Sequence, residues 1–176
     1  MLGEKLIDAA TIDRTIQELA NRLDRDLEGK DPVFVCVLKG AVFFFTALTS
    51  RLQRSVVVDF IQVSSYGAST ESSGTVVLIK DLTVDIAGKD VYIVEDIVDS
   101  GLTLADVVEL VRARHPRSVQ VVTLLSKPAR RKVDVDMDFV GLEIEDRFVV
   151  GFGLDFDEHY RNLPAIWEFV PGQEER

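Results

Sequence analysis

The stretch of this chain richest in reactive side chains is VYIVEDIVDSGLTLADVVEL, Val91 to Leu110. An apolar run ends in two adjacent carboxylates, Glu95 and Asp96. Asp99, Ser100 and Gly101 follow, and Thr103 opens a helical pattern. Backbone N–H groups at a helix start, approached closely beside a glycine, can cradle a phosphate dianion. The hydroxyls of Ser100 and Thr103 add donors. Glu95 and Asp96 repel a phosphate but suit ribose hydroxyls and a hard cation such as Mg²⁺. One strip therefore offers a phosphate end and a diol end, a ribose-length apart, which is the chemistry of a sugar phosphate. A lone Glu-Asp pair would be read as solvated acids beside a helix cap. The full pattern, set between a buried strand and a helix, outweighs that reading.

Other chemistry-bearing residues give weaker signals. His115 and His159 are the only histidines, and neither has a Cys, His or acidic partner at metal-ligand spacing on its own element. Both read as surface residues. Cys36, the single cysteine, lies in the apolar run VFVCVL and reads as a small core residue. No GxSxG elbow or Walker A loop occurs, and Gly151-Phe152-Gly153 is only a fragment of a dinucleotide fingerprint.

The elements that must position the motif follow from periodicity. Ile12, Ile16, Leu19, Leu23 and Leu27 recur at helical spacing. Val33–Leu38 is a short, wholly apolar run typical of a strand covered on both faces. Gly40–Leu52 reads as a buried helix, with Phe43, Phe44 and Phe45 as core. Val56–Ser64, Val76–Ile79, Val91–Val94, Val119–Leu125, Phe139–Leu142 and Val149–Phe152 read as strands. Leu104–Arg114 reads as a helix entered through Thr103, with Asp106 three residues on, close to a capping box. SYGASTESSGT, from Ser65, is too polar to bury itself. Strands alternating with helices predict an α/β fold around a mostly parallel sheet, with ligands beyond the carboxyl ends of the strands. The loops after Leu38, Val94, Leu125 and Phe152 are the places to look.

The formal net charge is −10, which disfavours nonspecific attraction to nucleic acid or an anionic membrane. No stretch approaches the ~20 apolar residues that span a bilayer, and the start, MLGEKLIDAATIDR, lacks the pattern of a secretory signal. A cytoplasmic location is expected, and one cysteine forms no intrachain disulfide. A protein this acidic needs local cations, helix N-termini or a metal to hold a polyanion.

VYIVEDIVDSGLTL resembles the motif that binds phosphoribosyl pyrophosphate (PRPP) in type I phosphoribosyltransferases, in the form found in hypoxanthine-guanine phosphoribosyltransferases. LKGAVFFF from Leu38, VDFIQVSSYG from Val58, SKP from Ser126 and DFVGLEIEDRFVVGFGLDFDEHYRNLP from Asp138 match the same family in the same order, spanning Ile7 to Pro164. The resemblance implies a type I phosphoribosyltransferase-like fold over residues 1–176. It implies a mostly parallel sheet flanked by helices and a small hood built from the N-terminal segment and residues 126–170. Ser65 and Tyr66 then lie at the hinge of a mobile active-site loop over residues 65–75. It assigns Glu95 and Asp96 to the ribose hydroxyls and to PRPP-bound Mg²⁺, and Asp99 to the purine N7 as general base or acid. Ser100, Gly101, Leu102 and Thr103 become the 5′-phosphate cradle. Leu38, Lys39 and Gly40 become the pyrophosphate loop, with a non-proline cis peptide between the first two, and Arg161 a second pyrophosphate ligand.

The same resemblance puts Lys127 on the 6-oxo group of the purine, Phe148 in a stack on the base and the Val149 backbone at the ring edge. Asp155 becomes a magnesium-linked acid near the base. A lysine is a donor only, so it favours a 6-oxo acceptor over the amino group of adenine. The implied reaction is purine salvage: PRPP and hypoxanthine or guanine give IMP or GMP and pyrophosphate, in a homodimer or homotetramer. Two alternatives stand beside it. One is a xanthine-preferring 6-oxopurine transferase; the other is a noncatalytic PRPP-sensing regulator that binds nucleic acid, whose nearest basic segment would be KPARRK, Lys127 to Lys132. The chain departs from the family pattern after Pro164, where Trp167 stands in place of a small residue.

Overall fold

The structure, a computed structural model, describes residues 1–65 and 76–171. The first helix, α1 (Ala9–Asp26), starts where Asp8 accepts a hydrogen bond from the Thr11 N–H at 2.7 Å. It buries Ile12, Ile16, Leu19 and Leu23 along one stripe, each worth about 1.5–3 kcal/mol of burial. The strand β2 (Pro32–Leu38) lies centrally, between β3 (Val57–Ser65) and β5 (Asp90–Val98), parallel to both. With β4 (Val76–Lys80), β6 (Ser118–Ser126) and β7 (Phe139–Glu143), a six-stranded sheet runs β4-β3-β2-β5-β6-β7. Only the edge strand β4 is antiparallel to its neighbour.

Side-chain alternation sorts the core into two layers. Phe34, Cys36, Tyr92, Val94, Val122 and Leu124 face α1 and the short helix α2 (Val42–Thr49). Val33, Val35, Val37, Val91, Ile93 and Val121 face α3 (Leu102–Arg112). The strict odd-even split across β2 and β5 is the period of two expected of strands covered on both sides. Cys36 is fully buried and free, as its apolar setting predicted. Burial pushes its thiol up to about 12, and the nearby Glu95 and Asp96 add to the rise.

A second, three-stranded sheet is built from both ends of the chain, in the order β1 (Leu2–Ile7), β9 (Ile166–Phe169), β8 (Val149–Val150). Trp167 does not break β9: it pairs with Lys5 on one side and Val150 on the other, and Lys5 Nζ sits 5.0 Å over its ring. The strand read as Val149–Phe152 stops at Val150, because Gly151, Phe152 and Gly153 all have positive φ and turn the chain sharply.

Three further expectations need correction. Phe43 is not core; it is 37% exposed and packs against Phe152 at 6.3 Å. Gly40–Leu52 is helical only over Val42–Thr49. α3 begins at Leu102 with Gly101 at its cap (φ 82), so Thr103 lies inside the first turn and no side chain caps the helix. No helix among the described residues is long and apolar enough to cross a membrane.

Candidate active site

The site forms where the large sheet splits. β5 pairs with β2 only as far as Cys36↔Val94, yet stays paired with β6 through Glu95↔Thr123 to Val98↔Ser126. Glu95 and Asp96 therefore lie within β5 rather than in a loop after it, at the point where its β2 side is released. The Leu38–Lys39 peptide is cis, and Gly40 then passes so close to Asp96 that a Cβ there would overlap the carboxylate. Gly153 is pressed as tightly against the Gly40 carbonyl. These contacts bring Leu38, Lys39 and Gly40 against the acidic pair and against the segment that carries Asp155 and Arg161.

Glu95 and Asp96 are half-buried side by side, with no cation bonded to either among the described residues. Burial, reinforced by the charge of Asp96, pushes the Glu95 carboxyl well up from its ordinary value. Burial raises Asp96 as well, while bonds from Glu95 and the Ile97 N–H and the field of Arg161 pull it back. Such a pair gains most from a hard cation. No three His, Cys, Asp or Glu side chains converge among the described residues. A Mg²⁺ ion here would draw on this pair and on oxygens of substrate and water, as Mg²⁺ commonly does.

The loop between β5 and α3 follows directly. Asp99, Ser100, Gly101, Thr103 and Leu104, with Glu95, Ile97 and Val98, line a cavity of about 100 Å³ at the start of α3. The Leu102 N–H reaches the Ser100 hydroxyl at 3.3 Å. Gly101 needs its left-handed φ of 82, and a Cβ would meet Arg131 Cδ at 3.1 Å. Arg131 holds the loop from outside: its guanidinium donates to the Asp99 carbonyl (3.2 Å), the Val98 carbonyl (3.3 Å) and the Ser126 hydroxyl (3.0 Å).

Just after β6, where its N–H bonds the Val98 carbonyl, Lys127 is buried at 4% exposure. Its Nζ stands 3.8 Å from Asp99 Oδ2. Arg130 Nε lies 3.0 Å from Asp99 Oδ1, near enough for an ion pair but not aligned for a hydrogen bond, and Oδ1 has no hydrogen-bond partner among the described residues. Phe148 is 49% exposed. It is propped edge-on by Phe156 and Phe169, each at 5.9 Å, so an exposed ring stands on an aromatic base. Val149, beside it, is buried.

Asp155 and Arg161 form an ion pair at 3.0 Å, and Arg161 also donates to the Gly153 carbonyl at 2.8 Å. Its Nε is buried with no partner among the described residues. Glu158 bridges Lys39 (3.0 Å) and Arg161 (3.3 Å), whose charges hold its carboxyl below the usual range. Ser65 ends β3, on the far side of β2 from this cleft. Tyr66 and the loop to residue 75 lie outside the described residues.

A family model for the phosphoribosyl transferase domain matches residues 4–157. The chain belongs to the phosphoribosyltransferase family. It is 48% identical to the hypoxanthine-guanine phosphoribosyltransferase of Bacillus subtilis over 166 residues, 94% of this chain and 92% of the relative. A crystal structure of a hypoxanthine phosphoribosyltransferase from Staphylococcus aureus superposes with a TM-score of 0.92 at 45% identity, covering 97% of this chain and 92% of that one. A hypoxanthine-guanine phosphoribosyltransferase from Bacillus anthracis gives 0.92 at 44% identity, covering 97% and 100%. The fold is the type I phosphoribosyltransferase fold expected from the motifs.

Within this phosphoribosyltransferase, contacts tie Gly40 to Asp96 and Gly153, Lys39 through Glu158 to Arg161 and Asp155, and Lys127 to Asp99, whereas Phe148 and Val149 are placed by β9 and the aromatic cluster beside them. Sequence reasoning missed Arg130, Arg131 and Glu158. As a basic run KPARRK gives no surface patch: Lys127 is buried and Arg131 is spent on loop carbonyls. The surviving signal was its position straight after a strand that ends at the cleft. Both histidines are exposed, as expected.

Proposed function

We propose that this chain transfers the 5-phosphoribosyl group of PRPP to N9 of hypoxanthine or guanine, forming IMP or GMP and releasing pyrophosphate. The observation that carries the reading is a donor beside an acceptor: buried Lys127 next to Asp99, whose Oδ1 lacks a donor. A 6-oxopurine offers the complement on one edge, the O6 acceptor adjacent to the N7–H donor. Adenine puts an amino donor against the lysine and leaves its charge unmet.

The rest of the cleft supports the same chemistry. The uncapped start of α3, with Ser100, Gly101, Leu102 and Thr103, binds the 5′-phosphate, and the macrodipole favours its charge. Glu95 and Asp96 hold the ribose hydroxyls. Phe148 stacks on the base and the Val149 backbone reads its edge. Lys39, Gly40 and Arg161 take the pyrophosphate. Asp99 accepts the N7 proton as the bond to N9 forms, which keeps positive charge from building on the ring. Mg²⁺, when bound at Glu95 and Asp96 and near Asp155, neutralises charge on the departing pyrophosphate.

A cytoplasmic location accords with the single free thiol. Assembly as a homodimer or homotetramer is read out by light scattering. The test of the function is direct: protein, PRPP, Mg²⁺ and hypoxanthine are incubated and the products separated. IMP and pyrophosphate in equal amounts are expected; absence of IMP refutes the proposal.

A further inference from the structure

We infer that Glu158 is a built-in competitor for the cations that bind pyrophosphate, and that it sets how tightly the product is held. The inference rests on reading Lys39 and Arg161 as those cations. One carboxylate engages both: Glu158 Oε2 lies 3.0 Å from Lys39 Nζ and 3.3 Å from Arg161 Nη2. A diphosphate that bonds to Lys39 Nζ and Arg161 Nη2 competes with this carboxylate for the same donors.

The backbone is built to deliver it. Asp157 and Glu158 have φ of 50 and 64, a left-handed conformation that is unfavourable for non-glycine residues. The Glu158 N–H is tied to Asp155 Oδ2 at 2.8 Å. The main chain is therefore held while the side chain stays free to swing, since Glu158 and Lys39 side chains are 62% and 55% exposed. Arg161 is held more firmly, by the Gly153 carbonyl and Asp155. It keeps its place when Glu158 leaves.

The consequence is a cation site that is never bare. Pyrophosphate binding exchanges one anion for another, so its net gain is smaller than two free cations would give. Release is assisted because Glu158 recaptures Lys39 and Arg161 as the product departs.

The experiment is a calorimetric titration of pyrophosphate with Mg²⁺ into the native protein, Glu158→Gln and Glu158→Asp, at low and high ionic strength. Glu158→Gln removes the competing charge at nearly constant shape. Its pyrophosphate affinity is expected to rise by about three- to tenfold, the scale of one or two exposed ion pairs. The difference should shrink at high salt. Glu158→Asp, charged but shorter, should fall between. In steady state, product inhibition by pyrophosphate should tighten by the same factor while the hypoxanthine KM stays unchanged. Unchanged affinity in a folded Glu158→Gln variant overturns the inference, and weaker affinity makes Glu158 a ligand instead of a competitor, which also overturns it. If the native protein forms IMP yet binds no pyrophosphate through Lys39, shown by an unaffected Lys39→Ala, the cation assignment fails and the inference with it. Failure to form IMP at all is the separate failure of the proposed reaction.

Discussion

Replacing Lys127 by methionine isolates the group that reads the 6-position of the purine. Lys127 is 4% exposed, so its stem is packed and methionine fills much of the same space. The change deletes an ammonium whose nearest carboxylate, Asp99 Oδ2, is 3.8 Å away, too long for a hydrogen bond. Little folding stability is lost with it, because a buried cation without a close partner is costly. The melting temperature is expected to hold or rise. Catalysis behaves differently. A hydrogen bond from a charged donor is worth about 1.5–3 kcal/mol, which is about a 10- to 150-fold loss in kcat/KM for hypoxanthine. Adenine, whose amino group never used the ammonium, loses nothing by the change. The hypoxanthine-to-adenine ratio should therefore collapse by a similar factor. Initial rates with both bases, alongside a thermal melt, provide the measurement. A folded variant with the native ratio would refute the role of Lys127 and the donor–acceptor argument built on it.

Two more predictions follow from the same geometry. Asp99→Asn keeps the loop held by Arg131 but loses the proton acceptor. Turnover should fall by about two decades or more while PRPP affinity, read by calorimetry, is retained; normal turnover would remove Asp99 from proton transfer. Stability should also depend on Asp90, 3% exposed, whose carboxyl is bonded by Arg117 and by Ser118 at 2.8 Å and held well below its ordinary value of about 3.9. A depressed carboxyl stabilises the fold above that ordinary value, and the contribution fades as pH drops below it. Urea midpoints for the native protein should fall between pH 4 and pH 2, and Asp90→Asn should flatten that fall; an equal slope in both would contradict the assignment.

Much of the fold was legible because β2, β5 and β6 are apolar runs covered on both faces, and α1 carries an unbroken helical stripe. The motif from Glu95 to Thr103 was legible because acids and hydroxyls at a strand–helix junction have few structural uses. What escaped depended on long-range pairing. Leu2–Ile7 is exposed along most of its length and becomes a strand only by pairing with Ile166–Phe169 at the other end of the chain. Glu95 and Asp96 look like loop residues, yet β6 keeps them in the strand after β2 has let go. Thr103 reads as a helix cap, but Gly101 adopts the left-handed conformation and takes the cap two residues earlier. Glu158 lies inside a matched motif, but the sequence attaches no role to it, since its contact reaches Lys39 from 119 residues away.

The bases that the protein accepts test the proposed reaction most directly. Initial rates with PRPP and Mg²⁺ should be measured in parallel for hypoxanthine, guanine, xanthine and adenine. Rapid turnover of hypoxanthine and guanine, with adenine far behind, is the predicted result. Equal use of adenine, or no turnover of any purine by a protein that binds PRPP tightly, would contradict it.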